Sequence, residues 1–277
     1  MTINEESTSR TPVVFIHGLW VHSTSWKPWV DLFTDAGYAP IAPGWPGDSP
    51  TAELTRANPD AVADRGIAEI TQHYADLIAD LPSKPIVIGH SFGGLIAQKL
   101  LADGHASAAI AIDPGQIKGV KALALAQIRT GLPVLKKSSN KERAVSLTKR
   151  QFAYSFGNTL PASESDALFD WWAIPGPGRV LFEGTSANRD DASPAAVDTS
   201  KGDRGPLLFI AGGKDHTTPQ KVVVGAHALY AGSPAVTDLK VFPDRGHSLV
   251  FDHGWREIAD QALTWLVKQE LAPSPQR

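Results

Sequence analysis

Apolar residues fall along this chain in two alternating patterns. Short continuous runs occur at 13–16, 38–42, 85–89, 108–112, 207–211 and 239–242, separated by longer stretches in which apolar positions recur every three or four residues. Continuous runs suit strands covered by helices on both faces, because neither face meets water. The periodic stretches at 25–36, 60–80, 92–103, 220–230 and 254–270 predict amphipathic helices. In the last of these, Trp255, Ile258, Ala259, Ala262, Trp265 and Leu266 share one face, which predicts packing against a sheet. The alternation as a whole predicts a doubly wound, mainly parallel α/β sheet of about six strands.

Two stretches break the alternation. Between Gly115 and Arg204 there are helix-like pieces at 120–129, 141–154 and 163–173, but no run that predicts a sheet strand. So long a connection is not a simple loop. It predicts an inserted, mainly helical cap at 116–204, leaving 1–115 and 205–277 as the core. Its exit at 185–205, rich in Ser, Asp, Ala and Gly, predicts an irregular return segment. The other break is at the front, where about ten polar residues precede the first apolar run, too few for an opening hairpin.

Composition narrows the function classes. With 277 residues, 42% of them hydrophobic, the chain can bury one large core. A net charge of -3 offers no field for nucleic acid or an anionic membrane, and no apolar run approaches a membrane span. The basic cluster at Lys136, Lys137, Lys141 and Arg143 predicts a solvated helix face. Residues 1–10 are polar and lack a signal-peptide pattern, so a cytoplasmic location is expected. The absence of cysteine excludes disulfides, thiolate metal ligands and a cysteine nucleophile. His17 and His22 have no third ligand at useful spacing, so no metal is expected.

The chemistry concentrates at Gly89-His90-Ser91-Phe92-Gly93, a Gly-x-Ser-x-Gly pattern between the run at 85–89 and the helix at 92–103. A serine at a sharp strand-to-helix turn is a nucleophile elbow. A serine hydroxyl needs a general base, and the base needs an orienting acid. His247, in Asp244-Arg245-Gly246-His247-Ser248 beyond the last strand, fits the base. Asp215, after the glycine turn that follows the run at 207–211, fits the acid, with Asp113 at the end of the 108–112 run as its competitor. The order Ser, Asp, His is that of one large class of serine hydrolases. Two N–H donors are needed for a developing oxyanion. The amide of Phe92, at a helix start, and that of Leu19 in the turn His17-Gly18-Leu19-Trp20 are the candidates, with Trp20 the alternative to Leu19.

These four motifs together resemble the α/β-hydrolase superfamily, from about Val13 to about Val267. The resemblance implies an eight-stranded sheet, a cap after the sixth strand and no cofactor. The missing hairpin reduces the expected sheet to six strands. The turn after the second strand, Pro43-Gly44-Trp45-Pro46-Gly47-Asp48-Ser49, also departs from the family's usual run, so Trp45 either faces the pocket or packs under the turn. A serine at the elbow excludes the branches that use an aspartate nucleophile. Hydrolysis of a small to medium, largely apolar carboxylic ester or lactone is the expected reaction, with a small-molecule substrate as the partner. Carbon–carbon bond hydrolysis of a diketone-like substrate, cofactor-free perhydrolysis and ligand reception are the alternatives. Trp20, Trp45, Trp171 and Trp172 are the candidate pocket aromatics, while oligomeric state leaves no mark on the sequence.

Overall fold

Six parallel strands form one sheet in the computed structural model, which describes residues 10–122 and 124–273. They are β1 (Pro12–Ile16), β2 (Ala39–Ile41), β3 (Ile86–His90), β4 (Ala108–Ile112), β7 (Leu207–Gly212) and β8 (Thr237–Phe242); the two-residue strands β5 (Ala144–Val145) and β6 (Gly176–Pro177) pair with each other outside it. The sheet order is β2-β1-β3-β4-β7-β8. Every residue of the four central strands is buried, which is why their sequences are unbroken apolar runs. The outer strands β2 and β8 are partly exposed, and Asp238 and Lys240 can therefore stand in β8.

Parallel register places all the strand ends that matter at one edge. Ile16 pairs with Gly89, His90 with Ile112, Ile112 with Ile210 and Gly212 with Phe242. The loops that follow those residues must therefore emerge side by side. In an open parallel sheet this is the edge where ligands bind.

Helices flank the sheet. Lys27–Asp35 and Trp255–Lys268 meet through Trp29 and Trp255, whose rings lie 6.4 Å apart. Trp29 is wholly buried, and its indole N–H donates to the Val250 carbonyl at 2.8 Å, tying the first long helix to the loop after β8. Phe92–Ala102 is fixed by the Tyr230 hydroxyl, which donates to Gln98 Oε1. Among the described residues no helix is long and apolar enough to cross a membrane. Residues 1–9, expected above to be a polar start, lie outside the described residues.

Several helices differ from their sequence expectation. The stretch 60–80 divides into a 3-10 turn, Pro59–Val62, and a helix, Ile67–Ala79, with Asp64 in a left-handed conformation between them (φ 58°). A short helix, Ala52–Ala57, precedes it because the Thr51 side chain caps the Leu54 amide. The stretch 141–154 is helical only from Lys149, where Thr148 and Gln151 form a reciprocal capping box. Its first part is instead a 3-10 turn and β5. Helix Leu125–Leu135 lies later than 120–129, and Ala162–Trp172 falls where 163–173 placed it. A fourth helix, Gly178–Ser186, occupies ground the sequence left unassigned. It docks on the core through Glu183, which accepts from the Ile67 amide at 2.7 Å, and Arg179, which pairs with Asp64 at 2.6 Å.

Burial sets the expected stability contrast. Trp29→Ala removes a wholly buried indole and should cost about 3–5 kcal/mol in urea unfolding. Trp171, 61% exposed, should change stability by less than about 0.5 kcal/mol when replaced by Ala. Equal losses would show that exposure does not separate the two positions.

Candidate active site

Ser91 lies between β3 and helix Phe92–Ala102 with φ 55° and ψ -125°, a conformation costing an L-residue about 1–3 kcal/mol. Hydrogen bonds on both sides hold it there. The Ser91 amide donates to the Ile112 carbonyl at 2.9 Å, and the Ser91 carbonyl accepts from the amides of Gly115 (2.7 Å) and Gly94 (2.9 Å). The flanking glycines are steric requirements. A Cβ on Gly89 would stand 2.0 Å from the Gly93 carbonyl oxygen, and one on Gly93 would stand 2.2 Å from that of Ile16.

Those same bonds orient an amide. A peptide unit is planar and trans, so its N–H points opposite to its carbonyl. Pinning the Ser91 carbonyl fixes the Phe92 N–H, which belongs to the same plane and is one of the first amides of its helix, without an intrahelical partner. The turn after β1 repeats the device. His17 Nδ1–H donates to the Gly18 carbonyl at 2.9 Å, fixing the plane that carries the Leu19 N–H. His17 Nε2 accepts from the Trp45 amide at 3.2 Å, which anchors the ring, and the same amide donates to Asp48 Oδ2 at 3.0 Å. A Cβ on Gly18 would fall 2.6 Å from Ser91 Cβ, so this turn abuts the serine. Trp20, with φ 71°, completes the turn, and its indole N–H donates to the Val145 carbonyl at 2.9 Å.

His247 is wholly buried, and its Nδ1–H donates to Asp215 Oδ2 at 2.6 Å. That bond occupies Nδ1 and fixes the ring, while Nε2 is buried and has no partner among the described residues. Asp215 is itself oriented, since its Oδ1 accepts from the amides of Thr217 (2.6 Å) and Thr218 (2.8 Å). His90 packs 4.5 Å from the His247 ring and donates from Nε2 to the His247 carbonyl at 2.9 Å. Burial, with His247 beside it, holds His90 well below the usual histidine range, so it stays neutral. Phe156, from the long connection, closes on His247 edge to face at 4.9 Å.

The sequence singled out Ser91, His247 and Asp215, and the structure gathers them at one sheet edge. Asp113, weighed as an alternative acid, is also there, though it makes no hydrogen bond to His247. Two supporting residues escaped sequence reading. Arg245 pairs with the wholly buried Asp252, whose other oxygen accepts from Ser248 Oγ at 2.8 Å. This bridge clamps the loop that carries His247. Its only sequence signal is two opposite charges either side of the histidine, in Arg245-Gly246-His247 and Phe251-Asp252.

A cavity of about 310 Å³ opens from Ser91. Leu19, Trp20, Ser91 and Phe92 line it from the sheet edge, and Val120, Ile128, Leu135, Phe156 and Leu181 from the long connection. The wall is mostly apolar, with the Gln127 side chain among its few polar members. Of the four candidate tryptophans, Trp20 alone lines this cavity. Trp45 is stacked on His17 at 5.0 Å and packs under the turn, the second of its two expected placements. Trp171 points largely to solvent, and Trp172 packs on Phe251 at 5.7 Å. The helix that carries the last two turns its buried face, Ser165 and Leu168, elsewhere.

The alpha/beta hydrolase family matches residues 13–261. No curated protein matches the chain. Solved structures match along nearly its whole length at low identity. A methylesterase from Arabidopsis is 17% identical, with 93% of this chain and 99% of that one covered and a TM-score of 0.63. The monoacylglycerol lipase of Paleococcus ferrophilus is 20% identical over 94% and 97%, also with a TM-score of 0.63. Tomato methylketone synthase I, solved with 2-tridecanone, is 14% identical over 94% and 99%, with a TM-score of 0.65. Likeness at these identities establishes the fold.

Breaking the clamp leaves Asp252 buried without its cation. Arg245→Met should therefore lower stability by about 3 kcal/mol or more in denaturant unfolding. A loss below about 0.5 kcal/mol would show that the bridge does not hold the loop.

Proposed function

The chain belongs to the alpha/beta hydrolase family, and from that premise we propose that it is a serine hydrolase of small to medium, largely apolar carboxylic esters or lactones. The observation that carries this reading is the state of His247. Its Nδ1 is committed to Asp215, and its Nε2 is buried with no partner among the described residues, Ser91 Oγ included, in a ring packed 4.5 Å from that of His90, the residue before the serine. Such an imidazole is prepared to accept a proton and to do little else.

In the proposed reaction, His247 Nε2 takes the Ser91 hydroxyl proton as Oγ attacks the ester carbonyl. The Leu19 and Phe92 amides, each on a peptide plane whose carbonyl is already bonded, stabilise the resulting oxyanion without reorganising. His247 then gives the proton to the leaving alkoxide, leaving an acyl-serine. Water, deprotonated by the same imidazole, releases the acid. Asp215 keeps its charge throughout and stabilises the imidazolium. The 116–204 segment acts as the cap. The cavity's size and apolar wall support acyl or aryl groups of modest length.

A fluorophosphonate should label Ser91 covalently, and Ser91→Ala should abolish the labelling; an unlabelled wild type would refute the proposal. Asp215→Asn should lower kcat on the order of 10⁴-fold by imposing the wrong tautomer on His247. With para-nitrophenyl esters of increasing chain length, turnover should be best for short acyl groups. Absence of turnover with every ester would exclude the esterase reading.

A further inference from the structure

Two carboxyl groups stand behind His247. Asp113 follows β4 and Asp215 follows β7, which are neighbours in the sheet. One oxygen from each and one ring nitrogen of His247 lie within 4.8 Å of one another. Asp113 is wholly buried and Asp215 is 4% exposed. Asp113 is held at φ 41°, the left-handed region, which an L-residue occupies only when its surroundings impose it.

The hydrogen-bond inventory of the two acids is unequal. Asp215 accepts three N–H donors, from Thr217, Thr218 and His247. Asp113 Oδ1 accepts one, the Gly212 amide at 2.7 Å. Asp113 Oδ2 is buried and meets no donor among the described residues. Such an oxygen is costly if ionised, whereas a proton on it turns the orphan acceptor into a donor. The titratable groups facing Asp113 are Asp215 and His247, with the His90 ring tilted against the latter. Two adjacent buried carboxylates cannot both ionise readily, and the one with fewer donors keeps the proton. Burial first, and Asp215 second, push Asp113 well above the usual carboxylate range.

We propose that Asp113 is a positioning residue, a neutral carboxylic acid whose Oδ2–H donates to the Asp215 carboxylate and holds it against His247. The inference rests on the serine hydrolase reading above. Gly212 fixes one end of the Asp113 carboxyl and Asp215 the other, so the group braces the acid across two strands. Its effect on the reaction passes through Asp215, and it touches neither substrate nor Ser91.

Asparagine separates this role from its rivals. It matches the neutral acid in shape, accepts from Gly212 and donates to Asp215. Asp113→Asn should retain kcat within about threefold, while Asp113→Ala, which deletes a hydrogen bond to a charged group, should lose about tenfold or more at unchanged KM. The ascending limb of the kcat–pH profile should not move in Asp113→Asn, because a neutral group has been exchanged for a neutral group. Removal of a true carboxylate at this range would instead lower that limb by about one unit or more. A second readout is stability. A raised folded-state pKa means that the native state binds the proton more tightly, so the wild type should lose stability relative to Asp113→Asn as pH rises above the usual carboxylate range. This comparison decides the matter even where Asp113→Ala does not fold. A kcat loss in Asp113→Asn as large as that of Asp215→Asn, a displaced limb, or a pH-independent stability difference would each overturn the inference. In those cases fluorophosphonate labelling of the wild type still reports on Ser91 separately.

Discussion

The backbone at Ser91 is the constraint on which the rest of the site depends. Its dihedral angles are unfavourable, and the local bonds its carbonyl accepts from the amides of Gly94 and Leu95 are only part of what holds them. They persist because β4 supplies an acceptor for its amide, the turn after β4 supplies a donor for its carbonyl, and β1 passes too close for any side chain on Gly93. Three adjacent segments of the sheet edge thus determine one residue. The serine is consequently not a feature of a loop that could be moved elsewhere. It is a property of how β1, β3 and β4 lie together.

From that point outward, the buried polar groups are satisfied in a chain. The Ser91 carbonyl is pinned and orients Phe92; the Gly18 carbonyl is pinned by His17, which the Trp45 amide steadies. His247 is bonded through Nδ1 to Asp215, through its carbonyl to His90, and through its loop to the bridge of Arg245 with Asp252. Each group proposed to react is held by neighbours with no proposed part in the reaction. Burying this many polar atoms costs free energy wherever one lacks a partner. Two atoms without one among the described residues, His247 Nε2 and Asp113 Oδ2, are those to which the proposed reaction delivers a proton and on which the proposed brace keeps one.

Much of this was legible in the sequence, for definite reasons. Central parallel strands are buried on both faces, so 108–112 or 207–211 could be seen as apolar runs and their ends placed within a residue or two. The elbow, the strand-end acid and the last histidine follow from strand order and glycine position. The segment 116–204 was legible only in outline, because its helices depend on contacts made elsewhere. Gly178–Ser186 contains two glycines, a threonine and a serine, poor helix formers that docking by Glu183 and Arg179 overrides. Trp171 and Trp172 look alike in sequence, and only packing shows that neither faces the cavity. Asp113 and Asp215 were separable as rivals but not as a pair, since their closeness arises from the adjacency of β4 and β7.

The long connection is sewn to the turn after β1 at three points. The Trp20 indole donates to Val145, the Trp20 carbonyl accepts from Ile174, and the His22 amide donates to Trp172. The residues that would choose the substrate therefore share a frame with an amide that would stabilise its charge. Grafting a foreign roof onto this sheet would not simply exchange one range of substrates for another; it would also detune the turnover of every substrate. Under the proposed function, selectivity and speed would be inherited together, and a laboratory lineage selected for either would have to carry changes around Trp20 along with those in the roof.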